Sequence, residues 1–135
     1  SHCGGCGNTC AAFETCQGGQ CVCAGPTVSF ATDIGPLLAS RCTACHDGSD
    51  SPHDLTLTAD VSFANLVGVD ADQCADSRER VDPGDPGNSY LLNKLRGQDM
   101  CGAGVRMPAG MTPLTADEIA TIERWICQGA VDDSL

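Results

Sequence analysis

The segment Cys42-Thr43-Ala44-Cys45-His46 brings two thiols and an imidazole together within five residues. Two cysteines at this spacing lie about one helical turn apart, so both thiols can reach the two vinyl groups of one porphyrin. The histidine that follows then places its imidazole under the iron. This CxxCH spacing therefore predicts covalent attachment of one c-type haem, with His46 as an axial ligand. A zinc site is less favoured, because no second CxxC pair follows to complete four ligands.

Apolar spacing predicts the helix that presents this motif. Ile34, Leu37 and Leu38 recur at helical intervals over residues 30–41, directly before Cys42. The C-terminal end of this helix would carry the two thiols.

Two further helices are predicted from their end signals. One covers about residues 88–95 and ends at Gly97, after a VDPGDPG stretch that we interpret as a loop. The other begins at Thr115, where Glu118 completes a capping box, and ends at Gly129. We expect large apolar side chains from these segments to surround the porphyrin, namely Phe30, Leu37, Phe63, Leu91, Leu95, Ile122 and Trp125.

The second axial ligand must come from another part of the chain. The candidates are Met100, Met107, Met111, His53 and His2. Met107 is favoured, because Pro108 directly after it has a fixed φ and stiffens the loop that presents the sulfur. Met111, four residues further along the same loop, is the alternative.

The cysteines near the N-terminus have a different role. Six of the eleven lie in the first 23 residues, in a segment with too few large apolar residues to fold by burial. We interpret them as a disulfide-stapled module, and a metal site at Cys3 and Cys6 with adjacent His2 as the alternative. The six cysteines are Cys3, Cys6, Cys10, Cys16, Cys21 and Cys23.

Three cysteines remain outside both groups. Cys101 lies just before the Met107 loop, and a disulfide there would hold that loop in place. We prefer a Cys74–Cys101 pair, since both residues are predicted in loops, with Cys127 as the alternative partner. Cys127 would then be a buried thiol, or a link to another chain or to an odd cysteine of the N-terminal segment.

Two family resemblances extend this interpretation. CGGCGNTCAAFETCQGGQCVC resembles the Cys-rich module of the plant stigma-specific protein family and similar modules of secreted bacterial proteins. Residues 29–131 resemble the single-haem cytochrome c domains of planctomycetes and myxobacteria, through FATDIGPLLASRCTACH, DLTLTAD, RVDPGDPGNSYLLNKLRG, RMPAG and LTADEIATIERWICQGA. In that family the histidine of CxxCH and the methionine of an MP motif ligate the iron, which carries over to His46 and Met107. Ala109 stands where many members have a second proline.

The resemblance implies an all-α class I cytochrome c fold, with three main helices around one haem. A small, mostly irregular disulfide-rich module would precede it. The expected division is a Cys-rich module over residues 1–26 and a monohaem cytochrome domain over residues 27–135, with Gly25-Pro26 at the boundary.

Charge narrows the possible partners. The net charge is −11, from eighteen acidic and seven basic residues, which argues against nucleic acid as a partner. Ten acids and only two bases lie between Asp47 and Asp85, and this excess favours docking of a basic redox protein. No run of about 18 apolar residues is present, so no membrane span is predicted.

The sequence predicts one-electron transfer by a His/Met-ligated haem outside the bacterial cytoplasm, in the periplasm or at the cell surface. One alternative is a haem enzyme or gas sensor with a displaceable sixth ligand. Another is a cytochrome subunit of a larger or polymeric assembly, which associates through the N-terminal module, His2 or a spare cysteine. Because the chain starts directly before the Cys-rich segment, we interpret it as a mature or trimmed chain.

Overall fold

The computed structural model of the protein describes residues 10–11, 13–48, 52, 55–102 and 104–133. Within these ranges, four α-helices occur in chain order: α1 (Gly35–Arg41), α2 (Ser62–Leu66), α3 (Tyr90–Arg96) and α4 (Ala116–Cys127). Two strands, β1 (Glu14–Gln17) and β2 (Gln20–Cys23), form an antiparallel hairpin. One π-helical turn (Phe30–Ile34) precedes α1, and one 3-10 turn (Pro86–Asn88) precedes α3.

The predicted all-α class I cytochrome c fold with three main helices is wrong. Only α4 reaches 12 residues, whereas α1 and α3 have seven each and α2 has five. Sixteen glycines and seven prolines interrupt the chain and leave most of it in loops. The observed architecture is a set of short helices joined by loops, with a β-hairpin and three disulfides in the described part of the chain.

The first predicted helix is divided in two. The Ser29 hydroxyl caps its start and accepts a hydrogen bond from the Thr32 amide at 3.1 Å. The first turn is then π-helical, with the Gly35 amide donating to the Phe30 carbonyl. Pro36 has no N–H to bond four residues back, so the regular α-helical pattern is interrupted at this point.

The other two predicted helices are present, with shifted bounds. α3 ends at Gly97, whose φ of +69° lies in the left-handed region that glycine adopts without cost. The Thr115–Glu118 capping box forms at the start of α4, with Glu118 N to Thr115 Oγ1 at 3.1 Å and Thr115 N to Glu118 Oε1 at 2.8 Å. α4 ends at Cys127, two residues before Gly129.

An aromatic cluster lies at the centre of the core. Phe30 is 5.4 Å from both Phe63 and Trp125 between ring centroids, and the Trp125 indole N–H donates to the Val131 carbonyl at 3.1 Å. Ile122 packs into the same buried core. These side chains were expected around a porphyrin, but they pack against one another instead.

The hairpin was not predicted. Gly18 and Gly19 both have positive φ, of +58° and +82°, as a tight two-residue turn between twisted strands requires. The Cys10–Cys21 disulfide links β2 to the chain before β1. This region is therefore more regular than the irregular module that the cysteines suggested.

A long-range disulfide joins the hairpin to the rest of the protein. Cys23, at the end of β2, pairs with Cys127, at the end of α4. Gln128 adds two bonds across the same junction, to the Pro26 carbonyl at 3.0 Å and from the Val28 amide at 2.9 Å. One prediction is thereby corrected, because Cys23 does not pair within the N-terminal segment. Of the alternatives for Cys127, the link to an N-terminal cysteine is the one that forms.

The remaining N-terminal predictions are only partly covered. Cys16 is disulfide-bonded, and Cys3, Cys6 and His2 lie outside the described residues. The boundary at residue 26 stays a prediction. The disulfides fit an extracellular or periplasmic protein. No helix in the described ranges is both long and apolar enough to cross a bilayer.

Candidate functional site

A cavity of about 390 Å³ lies where the end of α1, the helix α3 and the segment 104–111 meet. This volume falls within the range of roughly 300–1,000 Å³ that is usual for small-molecule and cofactor sites. Its wall is mainly apolar and includes Leu55, Leu57, Leu66, Leu91, Leu95 and Val105. Such a wall suits a ligand with a large apolar body.

Both thiols of the CxxCH motif line this cavity, together with His46. The turn after α1 holds them: the Cys42 amide donates to the Leu38 carbonyl at 2.8 Å, and the His46 amide donates to the Cys42 carbonyl at 3.0 Å. Cys42 is half-buried and Cys45 is exposed. Among the described residues, only these two cysteines are free.

The environment of Cys42 is apolar. Burial raises the pKa of the Cys42 thiol to about 11, and the neighbouring Arg41 charge offsets this only in part. Cys42 is therefore protonated at neutral pH in the described state. It behaves as a small apolar wall residue until it forms a covalent bond.

His46 is oriented as metal-binding histidines usually are. The residue is 9% exposed, and Nδ1 lies 2.7 Å from the Leu55 carbonyl oxygen. Because a carbonyl oxygen only accepts, Nδ1 is the donor in this bond, so in the neutral ring Nε2 carries the lone pair. The His46 carbonyl in turn accepts from the Leu57 amide at 2.8 Å, so residues 55–57 hold the histidine at two points.

Met107 lies on another wall of the same cavity and is half-buried. Its amide donates to the Lys94 carbonyl at 2.9 Å, and the Arg106 guanidinium donates through Nε to the Leu95 carbonyl at the same distance. The end of α3 thus positions the methionine loop. Arg106 itself lies outside the cavity lining.

The other ligand candidates are less well placed. Met111 lines the cavity but is 46% exposed. Met100 does not line it, and His53 and His2 lie outside the described residues. Of the methionines, Met107 is therefore the one that is both in the cavity and sheltered.

The disulfide Cys74–Cys101, the preferred pairing, lies beside this wall. The Cys101 amide donates to the Tyr90 hydroxyl at 2.9 Å, and the Arg78 guanidinium lies 5.1 Å from the Tyr90 ring. Gln73, next to Cys74, lines the cavity. The start of the methionine segment is thus tied covalently to Cys74 and by a hydrogen bond to Tyr90 of α3. The sulfurs lie near Asp76, but sulfurs joined as a disulfide offer no thiolate to a metal.

Sequence reasoning missed Lys94. This side chain on α3 is only 9% exposed, lines the cavity, and forms no ion pair with any described residue. Burial lowers the pKa of its ammonium. The sequence does contain a pattern that indicates this residue, because Leu91, Lys94 and Leu95 share one helical face. A lysine on an otherwise apolar face is unusual and indicates a specific role.

Comparisons with known proteins are sparse. No family model matches the chain, and no curated protein matches it. A solved structure of hydrazine synthase from Kuenenia stuttgartiensis is similar, with a TM-score of 0.51 and 23% sequence identity. The match covers 81% of this chain and 17% of that chain, so it concerns a small part of the larger protein. At this identity the likeness describes the fold alone.

Proposed function

We propose that this protein is an electron carrier that holds one covalently bound c-type haem outside the cytoplasm. The observation that carries the proposal is a convergence: two free thiols, a histidine with an available Nε2 and a sheltered methionine sulfur line one apolar cavity. These residues come from two segments about 60 positions apart in sequence, so a short motif match by itself does not account for their meeting.

The donor set and the cavity fit a haem. Imidazole nitrogen and thioether sulfur are a known axial pair for haem iron, and that pair raises its reduction potential. The apolar wall matches a porphyrin body, and the unpaired Lys94 ammonium matches an anionic edge. Once bound, the haem supplies reversible one-electron exchange between ferric and ferrous iron.

Each residue of the site then has one task. Cys42 and Cys45 anchor the porphyrin covalently, and the Leu55 carbonyl keeps the His46 ring in the orientation that presents Nε2. Met107 presents its sulfur from the α3 side of the cavity, and the leucines exclude water. Two protein ligands leave the iron no open position, which favours electron transfer over a haem enzyme or gas sensor.

Surface charge supports docking of a basic redox partner. In the described ranges, eleven acidic residues are exposed but only one basic residue, Arg106. Five of the other six bases are engaged or buried: Arg41 with Glu118, Arg78 with Asp76, Arg80 with the Asn65 carbonyl, Arg96 with Glu123, and Lys94 in the cavity. The exposed acids are Asp33, Asp47, Asp60, Asp70, Asp72, Asp76, Asp85, Asp99, Asp117, Asp132 and Asp133. The surface is therefore more negative than the composition alone indicates.

The proposal is tested by haem content. The protein, produced with a haem attachment system outside the cytoplasm, is expected to carry one haem per chain that survives denaturation in acid and acetone. The Cys42→Ala/Cys45→Ala variant should lose it. Cys74→Ala/Cys101→Ala also removes two cysteines, but from outside the attachment motif, and should keep it. Wild-type protein without covalent haem would refute the proposal.

Docking is tested by ionic strength. The rate of electron exchange with a basic cytochrome should fall as salt is raised from about 10 to 300 mM, and exchange with an acidic partner should not. Equal salt dependence for both partners would contradict the docking part alone.

A further inference from the structure

Lys94 is the only lysine of the chain, and burying its charged group is energetically unfavourable. The residue is only 9% exposed, yet no carboxylate of the described residues forms an ion pair with it. Burial lowers the pKa of this ammonium, and no acid among the described residues opposes that effect. An ammonium in an apolar cavity is stabilised by an anionic partner, and because no described carboxylate takes that place, an anion from outside the chain fits it.

The ammonium has a definite place in the cavity. A Cβ built on Gly104 would lie 2.8 Å from Lys94 Nζ, 3.4 Å from Gln73 Nε2 and 3.5 Å from the Cys101 carbonyl oxygen. Lys94, Gln73 and Gly104 all line the cavity. Two nitrogen donors therefore converge beside Gly104, whose missing side chain leaves room for the Lys94 ammonium next to the Cys74–Cys101 disulfide.

The other charged residues of the cavity wall neither bind this anion nor pair with Lys94. Arg41 Nη1 is bonded to Glu118 at 2.9 Å, and Arg80 Nη1 donates to the Asn65 carbonyl at 2.8 Å. Asp72 is exposed and forms no ion pair with Lys94. The ligand that fits is mostly apolar, with an anionic group at one edge.

We propose that Lys94 and Gln73 form an anion-binding corner of the cavity that takes a carboxylate of the bound cofactor. This inference rests on the proposed function, in which the carboxylate belongs to a haem propionate. The ammonium and the amide N–H groups donate to the carboxylate oxygens, and Gly104 leaves the space that the ammonium occupies. Lys94 is thus a cofactor-binding residue that also links the propionate to the helix from which Met107 is positioned.

The single lysine gives a direct test. In haem-loaded protein grown with ¹⁵N-labelled lysine, the one ammonium signal belongs to Lys94. We expect its protons to exchange with water at least about tenfold more slowly than those of free lysine, because a bonded, buried group is protected. The signal should also shift between the ferrous and the ferric protein. Rapid exchange with no shift would overturn the inference.

Variants add a second readout. Lys94→Met should lower the reduction potential, because a lost positive charge near the haem favours ferric iron. Arg96→Met removes the same charge from the same helix, outside the cavity, and should have a clearly smaller effect. Equal shifts of the reduction potential in the two variants would contradict the anion-binding corner. Gly104→Ala keeps every charge but crowds Nζ, and should speed ammonium exchange even if Lys94→Met fails to fold.

The two proposals fail separately. A wild-type protein without covalent haem would remove the proposed function and the propionate assignment together. A haem-loaded protein whose Lys94 ammonium exchanges freely would leave the electron carrier intact and remove only the anion-binding corner.

Discussion

The two walls of the cavity are built in different ways. The His46 wall follows one helix end: Cys42 bonds back to Leu38, and His46 bonds back to Cys42 and forward to Leu55. The Met107 wall depends on contacts between separate parts of the chain, namely its bond to the Lys94 carbonyl and the nearby Cys74–Cys101 disulfide. The difference implies that the His46 wall secures the bound haem, whereas the Met107 wall is the one whose properties substitutions can change.

The largest contrast is expected between His46→Ala and Met107→Ala. His46→Ala should lower covalent haem content more than about tenfold, because iron ligation by this histidine accompanies attachment at the adjacent thiols. Met107→Ala should keep the haem but lower its reduction potential and allow the ferrous protein to bind carbon monoxide. Haem content and carbon monoxide difference spectra measure both effects.

Two outcomes would contradict this contrast. Equal haem loss in both variants would mean that the walls do not differ in the way proposed. A Met107→Ala protein that still excludes carbon monoxide would show that another residue is the ligand, and Met111→Ala would then identify it.

The next effect concerns the disulfide beside the Met107 wall. Cys74→Ala/Cys101→Ala should reduce the free energy of unfolding by about 3–4 kcal/mol, as expected for a bond that closes a loop with a sequence separation of 27. It should also weaken the long-wavelength absorption band that marks methionine ligation. Urea unfolding and the oxidised spectrum measure the two effects.

The matched control is Cys10→Ala/Cys21→Ala, which opens the hairpin disulfide with a separation of 11. We expect a loss of about 3 kcal/mol with no change in the methionine band. If both double variants alter the band equally, the Cys74–Cys101 disulfide has no special part in holding Met107.

Local patterns could be predicted from the sequence, and they concern the first wall most. The CxxCH motif predicted that Cys42, Cys45 and His46 act at one site, and all three line one cavity. The capping box at Thr115 predicted the start of α4. Both depend on side chains within a few residues of one another, so short-range spacing is enough to find them.

Features that depend on long-range contacts could not be predicted, because spacing reports only on residues that are close in sequence. Spacing could not show that Cys23 meets Cys127 across a sequence separation of 104, or that Phe30, Phe63 and Trp125 pack together away from the cavity. The fold class was wrong because a family resemblance was extended over a chain whose glycines and prolines keep its helices short. Such outcomes depend on tertiary packing, which overrides local preference.

A smaller effect is expected at the capping box of α4, which supports the His46 wall. Thr115→Ala removes the capping oxygen that accepts from the Glu118 amide and should cost about 1 kcal/mol. Thr121→Ala is the control, because its hydroxyl only donates to the Asp117 carbonyl inside α4. Urea unfolding should place the control within about 0.5 kcal/mol of wild type. Equal losses would mean that the cap contributes nothing specific.

The smallest expected effect is the pH dependence that Glu118 confers. Its carboxylate accepts from the Thr115 amide at 2.8 Å and from Arg41 Nη1 at 2.9 Å, so it joins the start of α4 to the residue before Cys42. The Thr115 amide is the main cause, and Arg41 a lesser one, of a pKa below the usual 4.5.

Because the folded pKa lies below the unfolded one, this carboxylate stabilises the protein above about pH 4.5, and the contribution is lost as pH falls through the folded value. Glu118→Gln should therefore be less stable than wild type near neutral pH, and the two should converge in acid. Urea unfolding between about pH 7 and pH 3 measures the difference. Curves that stay parallel would show that the link from α4 to the His46 wall does not depend on this charge.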